Sequence, residues 1–164
     1  MTKIERAKSS GTRVRDRLGV VAEPGFAPVP HLLFQHQGEL GLTSKELNVF
    51  LNIFMHWYDA NRLPFPHTAT IAKRMGVPQR SVQNAVSSLK KKGLIEEVRE
   101  RKKDPIHYNV RPLFSKLKPR AIEWMARRGL EENSVSNKEQ TELGANSMGI
   151  PQRWEKLIAS QKTR

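Results

Sequence analysis

Apolar residues between positions 68 and 95 recur at helical spacing in two blocks, one on either side of Gly76. Ala72 lies four residues before Gly76, and glycine readily adopts the left-handed conformation that a sharp helix end requires. In the second block, an advance of about 100° per residue places Val82, Val86 and Leu89 on one face. The pattern predicts two helices that cross at a tight turn. The residues predicted to be buried between them are Ile71, Met75, Val77, Val82, Ala85, Val86 and Leu89.

The opposite face of the second helix is polar. Helix-turn-helix proteins place this helix in the major groove of DNA, where Arg can pair with guanine and Asn or Gln with adenine. The predicted DNA contacts are Gln79, Arg80, Gln83, Asn84, Ser87 and Lys91 from the second helix, and Thr68, Thr70 and Lys73 from the first. The alternative interpretation is a structural helical hairpin whose polar outer face never contacts DNA.

A longer helix is predicted upstream, over residues 43–61, because Thr43 and Glu46 have capping-box spacing. Its apolar arc is wider than one packing surface requires. Leu47, Leu51, Phe54 and Tyr58 form one stripe, which Phe50, Ile53 and Trp57 widen. The additional apolar surface could meet a second subunit, or it could be covered by the segment before Gly41 or by the chain after the wing that is described below. Residues 24–41 contain three prolines, which favour an extended segment before a helical turn or two at residues 31–37.

Two short runs suited to β-strands, residues 94–98 and 106–110, flank a basic tip and predict a β-hairpin. Three lysines and Gly93 close the preceding helix, since cations and glycine are both favoured at helix C-termini. A hairpin directly after a recognition helix is the wing of a winged helix. Its tip is predicted to contact phosphates or a minor groove through Arg99, Arg101, Lys102 and Lys103. Glu96, Glu97 and Glu100 are expected on the solvent face of the strands.

The chain on either side of this domain divides into three further parts. Residues 1–23 are predicted to be a flexible basic arm, in which Arg13, Arg15 and Arg17 could enter a minor groove or simply remain solvated. Residues 111–129 are predicted to form one helix, or two pieces divided at Pro119, with residues 118–130 as a helical extension. Residues 131–164 are predicted to be a flexible linker and a short amphipathic tail helix. The apolar residues Trp154, Leu157 and Ile158 of that helix could dock in a partner's groove, pack on the domain itself or bind nothing.

The composition changes this picture in two respects. A net charge of +13 over 164 residues favours binding to polyanions, to RNA as well as to DNA. The sequence contains no cysteine, which excludes disulfides, thiolate zinc sites and cysteine nucleophiles. We also find no apolar run long enough to span a membrane and no secretory signal, so we expect no membrane partner and a cytoplasmic location at a bacterial nucleoid or plasmid.

Residues suited to catalysis are scattered along the sequence. No pair among His31, His36, His56, His67 and His107 has metal-site spacing on a shared helix face, and there is no phosphate-cradling glycine loop. Glu96 and Glu97 are adjacent on a predicted strand, so their side chains point to opposite faces. We therefore expect no catalytic residues, no metal site and no cofactor.

Residues 26–117 resemble bacterial winged helix-turn-helix proteins of mobile elements and phages, including replisome organisers of the DnaD type. The resemblance rests on VPHLLFQHQGELGLTSKEL and on LPFPHTATIAKRMGVPQRSVQNAVSSLKKKGLIEEV. It implies a double-stranded DNA-binding module, often dimeric, whose second helix is the reader. One departure is Pro78, which stands where a Ser or Thr often caps that helix in such proteins.

The sequence as a whole predicts a mainly α-helical fold with a small β-hairpin, in which residues 24–117 form the winged helix-turn-helix domain. The favoured function is a sequence-specific, dimeric DNA-binding protein that regulates transcription in a mobile element. The alternative is a replication-initiation or plasmid-partition adaptor that recruits a partner protein through its C-terminal tail. The same domain serves all of these roles, so the sequence leaves the choice open.

Overall fold

The computed structural model describes residues 10–130, with side chains from residue 14 onward, together with residues 158–159. The described chain is mainly helical with one small hairpin. In order, the elements are α1 (Ser10–Leu18), a 3-10 helix (Gly19–Ala22), α2 (His31–Gln35), α3 (Ser44–Phe54), α4 (Thr68–Met75), α5 (Gln79–Lys91), β1 (Glu96–Val98), β2 (His107–Asn109) and α6 (Arg111–Ala126). The predicted fold class, a winged helix-turn-helix domain, is confirmed.

Helix α3 begins as predicted and ends earlier than predicted. The Thr43 side chain accepts a hydrogen bond from the Glu46 amide, and the Glu46 carboxylate accepts one from the Thr43 amide, so both halves of the capping box are present. The helix ends at Phe54 rather than at residue 61. Its most buried face carries Val49, Phe50 and Ile53, whereas the predicted stripe through Leu47, Leu51 and Phe54 is half-buried and Tyr58 is exposed.

Tertiary contacts explain the early end of α3. The Trp57 ring packs against the Phe54 ring at 6.0 Å and against the Phe114 ring of α6 at 6.3 Å between centroids. The Arg111 guanidinium lies 5.3 Å from the Trp57 ring centre. These contacts fix residues after Phe54 in a loop, even though no glycine or proline interrupts the apolar pattern before Pro64. They also show what covers the wide apolar arc of α3, since Phe114 contacts Phe50, Phe54 and Trp57.

Helices α4 and α5 form the predicted pair. Gly76 ends α4 in the left-handed conformation, with φ of 63°, and the Val77 amide donates to the Ala72 carbonyl across the turn. Ile71 and Ala72 of α4 are buried with Val82, Ala85, Val86 and Leu89 of α5, while Met75 and Val77 are half-buried against the same core. The helix-turn-helix core predicted from the apolar pattern is therefore present.

Strands β1 and β2 pair in antiparallel register, with Glu96 opposite Asn109 and Val98 opposite His107. The Tyr108 amide donates to the Pro64 carbonyl at 2.8 Å, which attaches the loop before α4 to the hairpin. The Leu113 amide of α6 donates to the carbonyl of Leu94, two residues before β1, at 3.1 Å. The wing is thus joined to the loop before α4, and the segment leading into it is joined to α6.

The structure differs from the sequence-based expectation in two segments. Residues 10–22, expected to belong to a flexible basic arm, are helical, and Ala22 at the end of the 3-10 helix is buried. The boundary between residues 117 and 118 falls inside α6, which continues through Pro119 as one helix.

Of the tail motif, Trp154 and Leu157 lie outside the described residues, and Ile158 is helical and half-buried. No helix in the described part of the chain is long and apolar enough to cross a membrane.

Candidate nucleic-acid interface

Helix α5 buries its apolar residues on one face and exposes most of its polar residues on the other. Val82 and Leu89 are fully buried, and Ala85 and Val86 nearly so. The six predicted reader residues, Gln79, Arg80, Gln83, Asn84, Ser87 and Lys91, are all exposed. The structure therefore brings them together on one solvent-facing stripe of a single helix, which is the arrangement needed to reach base edges in a groove.

The N-terminal end of α5 is open. Pro78 occupies the cap position with φ of −59° and ψ of 143°, and no side-chain hydrogen bond caps this described helix. The Gln79 amide group donates to the Thr68 hydroxyl at 3.0 Å, which joins the N-terminal ends of α5 and α4. This link orients the side chain of Gln79, the first residue of α5 after Pro78.

The C-terminal end of α5 is tied to three other parts of the domain. The Lys92 ammonium donates to both Glu46 carboxylate oxygens at 2.7 Å and to the Gly41 carbonyl at 2.5 Å. The Lys116 ammonium of α6 donates to the Lys92 carbonyl at 2.7 Å. Sequence reasoning assigned Lys92 only to the helix dipole, because nothing in the local pattern points to a partner 46 positions away.

Glu46 is nearly buried and remains charged. Burial alone would raise the pKa of its carboxyl group, but hydrogen bonds from Lys92, Ser88 and Thr43 outweigh that effect and lower the pKa to about 2. The same carboxylate closes the capping box of α3 and pairs with Lys92. Glu46 therefore couples the start of α3 to the end of α5.

The wing exposes three of its four predicted basic contacts, namely Arg101, Lys102 and Lys103. Arg99 is half-buried and donates to the Lys102 carbonyl at 2.9 Å, so it also closes the hairpin tip. The strand glutamates are not simply solvent-facing as expected. Glu97 pairs with Lys90, and Glu96 accepts a hydrogen bond from Asn109, because both carboxylates are half-buried beside these donors.

The first helix of the pair exposes Thr70 and Lys73, while Thr68 is half-buried beneath Gln79. A neighbouring basic residue that we did not single out, Arg74, contacts His56 at 2.8 Å. Burial and the charge of Arg74 both lower the pKa of His56, which favours its neutral form. In the arm, Arg15 and Arg17 are exposed on α1, and the side chain of Arg13 lies outside the description.

Among the described residues, no group of three or more His, Asp or Glu side chains could hold a metal ion. His56 contacts Arg74, His36 contacts Glu39, and the His107 ring packs against the Phe65 ring.

Solved structures of known proteins are similar to this chain. The N-terminal domain of the DnaD protein from Geobacillus kaustophilus is 28% identical and covers 76% of this chain and 98% of its own, with a TM-score of 0.48. The M. tuberculosis transcriptional regulator MOSR, solved in complex with DNA, is 11% identical over 95% of each chain, with a TM-score of 0.37. A MarR-family regulator from Rhodococcus is 17% identical, covering 82% of this chain and 93% of its own, with a TM-score of 0.37.

A search of curated proteins found no match. The family model for the DnaD N-terminal domain matches residues 29–127, which is more than half of the chain and spans every element from α2 to α6. The chain belongs to the DnaD N-terminal domain family.

Proposed function

We propose that this protein binds double-stranded DNA and reads its sequence with α5. The observation that carries the proposal is the exposed stripe on α5, whose N-terminal half presents Arg80, Gln83 and Asn84. Arg can make paired hydrogen bonds to guanine, and Asn or Gln can do so to adenine. Because Val82, Val86 and Leu89 hold the opposite face in the core, the helix can present these groups without exposing apolar surface.

The remaining basic groups would position the protein on the phosphate backbone. Arg101, Lys102 and Lys103 are exposed at the wing tip, and Lys73 is exposed on α4. Contacts of this kind add affinity and salt dependence without reading sequence. The net charge of +13 also favours binding to the phosphate backbone.

We further propose that the protein acts as a homodimer. Large apolar side chains are exposed near both ends of the described domain, at Leu18, Val20, Val21, Ile122, Trp124 and Leu130. Exposed apolar groups of this kind favour a protein interface. Val20→Asp combined with Val21→Asp should shift the sedimentation-equilibrium mass towards that of a monomer. An unchanged dimer mass would place the interface elsewhere.

Two biological roles remain candidates. Regulation of transcription in a mobile element requires only sequence-specific binding near a promoter. Membership in the DnaD N-terminal domain family supports the second candidate, a replication or partition adaptor. In that role the tail residues Trp154, Leu157 and Ile158 would recruit a partner protein. Deleting residues 151–164 separates the two roles: an adaptor would keep its DNA affinity and lose plasmid maintenance, whereas a regulator would keep repression.

Selection of bound fragments from random duplex DNA tests the proposal. We expect an enriched motif, with two half-sites about one helical turn apart if a symmetric dimer binds. Selection should be repeated with Arg80→Ala plus Asn84→Ala, which should enrich no motif. If the wild-type protein enriches no motif, α5 does not read sequence.

A further inference from the structure

A cleft with a volume of about 520 Å³ lies between the loop that follows α3 and the beginning of α4. Its apolar lining includes Leu63, which is only 3% exposed, and two aromatic side chains that project into solvent. Tyr58 is 83% exposed and Phe65 is 58% exposed. The volume lies within the usual range of small-ligand sites, and the exposed rings offer flat faces beside a buried floor.

Groups that can bind a phosphate flank these rings. Arg62, His67 and Thr70 line the same cleft and are exposed. An Arg guanidinium and a Thr hydroxyl both donate hydrogen bonds to phosphate oxygens. Asp59 also lines the cleft, and one of its carboxylate oxygens accepts a hydrogen bond from the Asn61 amide at 2.8 Å. Basic and aromatic side chains therefore line one opening together.

The cleft is continuous with the proposed DNA-binding face. His67 precedes α4, and the next residue, Thr68, accepts the hydrogen bond from Gln79 of α5. On the other side, the Phe65 ring lies 5.2 Å from the His107 ring of β2. The cleft therefore borders both the N-terminal end of α4 and strand β2 of the wing.

We propose that this cleft binds an unpaired nucleobase of a single-stranded nucleic acid. Tyr58 and Phe65 stack against the base, while Arg62, His67 and Thr70 bind the adjoining phosphate. Aromatic rings beside basic groups bind single strands in this way, because each base has a stacking face whatever its sequence. A base inside a duplex cannot reach the rings without leaving its stack. The site is thus distinct from the duplex reader on α5, and it does not depend on that reader being correct.

Fluorescence anisotropy on the full chain tests the inference with three probes: labelled oligothymidylate, labelled oligouridylate and a labelled duplex. Tyr58→Ala combined with Phe65→Ala should weaken binding to at least one single-stranded probe about tenfold or more. Binding to the duplex should change by no more than about twofold. Comparing the two single-stranded probes shows whether DNA or RNA is preferred, and a preference for either one supports the site.

Phe34→Ala is the matched control, because Phe34 is 46% exposed on α2 and does not line the cleft. It should leave binding to all three probes unchanged. Tyr58→Phe combined with Phe65→Tyr keeps both rings and should retain single-strand binding. Thermal unfolding followed by circular dichroism checks that each variant is folded. We expect the variants to fold because both rings are exposed, so that removing them leaves no cavity in the core.

The inference is overturned if the wild-type protein binds neither single-stranded probe, if the double alanine variant binds them normally, or if that variant loses single-strand and duplex binding equally. Arg80→Ala plus Asn84→Ala separates the two sites. It should reduce duplex discrimination and leave single-strand binding within about twofold, since stacking takes place in the cleft. If the Arg80→Ala plus Asn84→Ala variant also binds the duplex unchanged, α5 is not the reader. The cleft is then judged by the Tyr58→Ala plus Phe65→Ala variant alone.

Discussion

The two ends of α5 differ sharply in how they are held. At the C-terminal end, Lys92 binds Glu46 and the Gly41 carbonyl, and Lys116 binds the Lys92 carbonyl. At the N-terminal end, Pro78 offers no side-chain cap, and the Gln79 amide group donates an exposed hydrogen bond to the Thr68 hydroxyl. One end is anchored in the domain, and the other is presented to solvent.

This difference indicates how a small domain can position a reading helix. Groups that recognise a ligand work best when rigid elements hold them in place. The anchored end fixes the axis of α5 against α3 and α6, so that the free end can carry polar side chains into a groove. Contacts at the anchored end should therefore govern stability, and side chains at the free end should govern sequence preference.

The largest expected loss of stability comes from Lys92→Ala. It would leave the Glu46 carboxylate nearly buried without its cation and should lower the free energy of unfolding by about 2–3 kcal/mol, somewhat less than for a fully buried pair because Lys92 is partly exposed. Urea unfolding measures the change. Lys91→Ala, which removes an exposed lysine one position earlier, is the control and should cost less than about 0.5 kcal/mol. Equal effects of the two substitutions would mean that the C-terminal end is not anchored through Lys92.

Lowering the pH from about 5 to about 3 should reduce the free energy of unfolding by about 2 kcal/mol. The pKa of Glu46 is about 2 in the folded protein and has an ordinary value of 4.5, so the folded state favours the charged form. The stability it contributes is therefore present above about pH 4.5 and is lost as the pH falls towards 2. Unfolding of the wild type and of Glu46→Gln at about pH 5 and about pH 3 isolates this group. The gap between the two proteins should narrow at the lower pH, and a constant gap would contradict the ion-pair account.

The substitution Gly76→Ala should lower the free energy of unfolding by a smaller amount, about 1 kcal/mol. Gly76 has φ of +63° with open space around it, so the added methyl group costs backbone strain rather than a steric clash. Gly38→Ala is the control, because that glycine also faces open space and does not have a left-handed φ. Thermal unfolding should separate the two variants. If Gly76→Ala were as stable as Gly38→Ala, the turn before α5 would not require a left-handed residue.

The sequence predicts the local parts of this structure and misses the contacts between distant parts. The capping box at Thr43, the left-handed Gly76 and the buried face of α5 follow from spacing within a few residues. The early end of α3 does not, because Phe114 and Arg111 determine the path of Trp57 from more than fifty positions away. The apolar period continued through Tyr58, yet that ring is exposed in the folded chain.

The candidate sites show the same division. The reader stripe could be placed on one face of α5 from helical geometry alone, since all six residues share one helix. The anchor between Glu46 and Lys92 joins segments that only the fold brings together. The cleft is lined by a single stretch, residues 56–70, whose loop path the apolar pattern did not predict. The exposed aromatic residues around position 60 gave no sequence signal, because aromatic residues in an apolar pattern ordinarily predict burial.

The most direct test of the account compares two double variants on the selected duplex and on unrelated duplex DNA. Arg80→Ala plus Asn84→Ala should reduce the ratio of specific to nonspecific affinity by about 30-fold or more, because each lost paired contact removes about 1–3 kcal/mol of discrimination. Lys102→Ala plus Lys103→Ala should weaken both duplexes alike, keep the ratio, and lower the salt dependence by about two phosphate contacts. Equal, nonspecific losses from both variants would contradict the assignment of the free end of α5 as the reader.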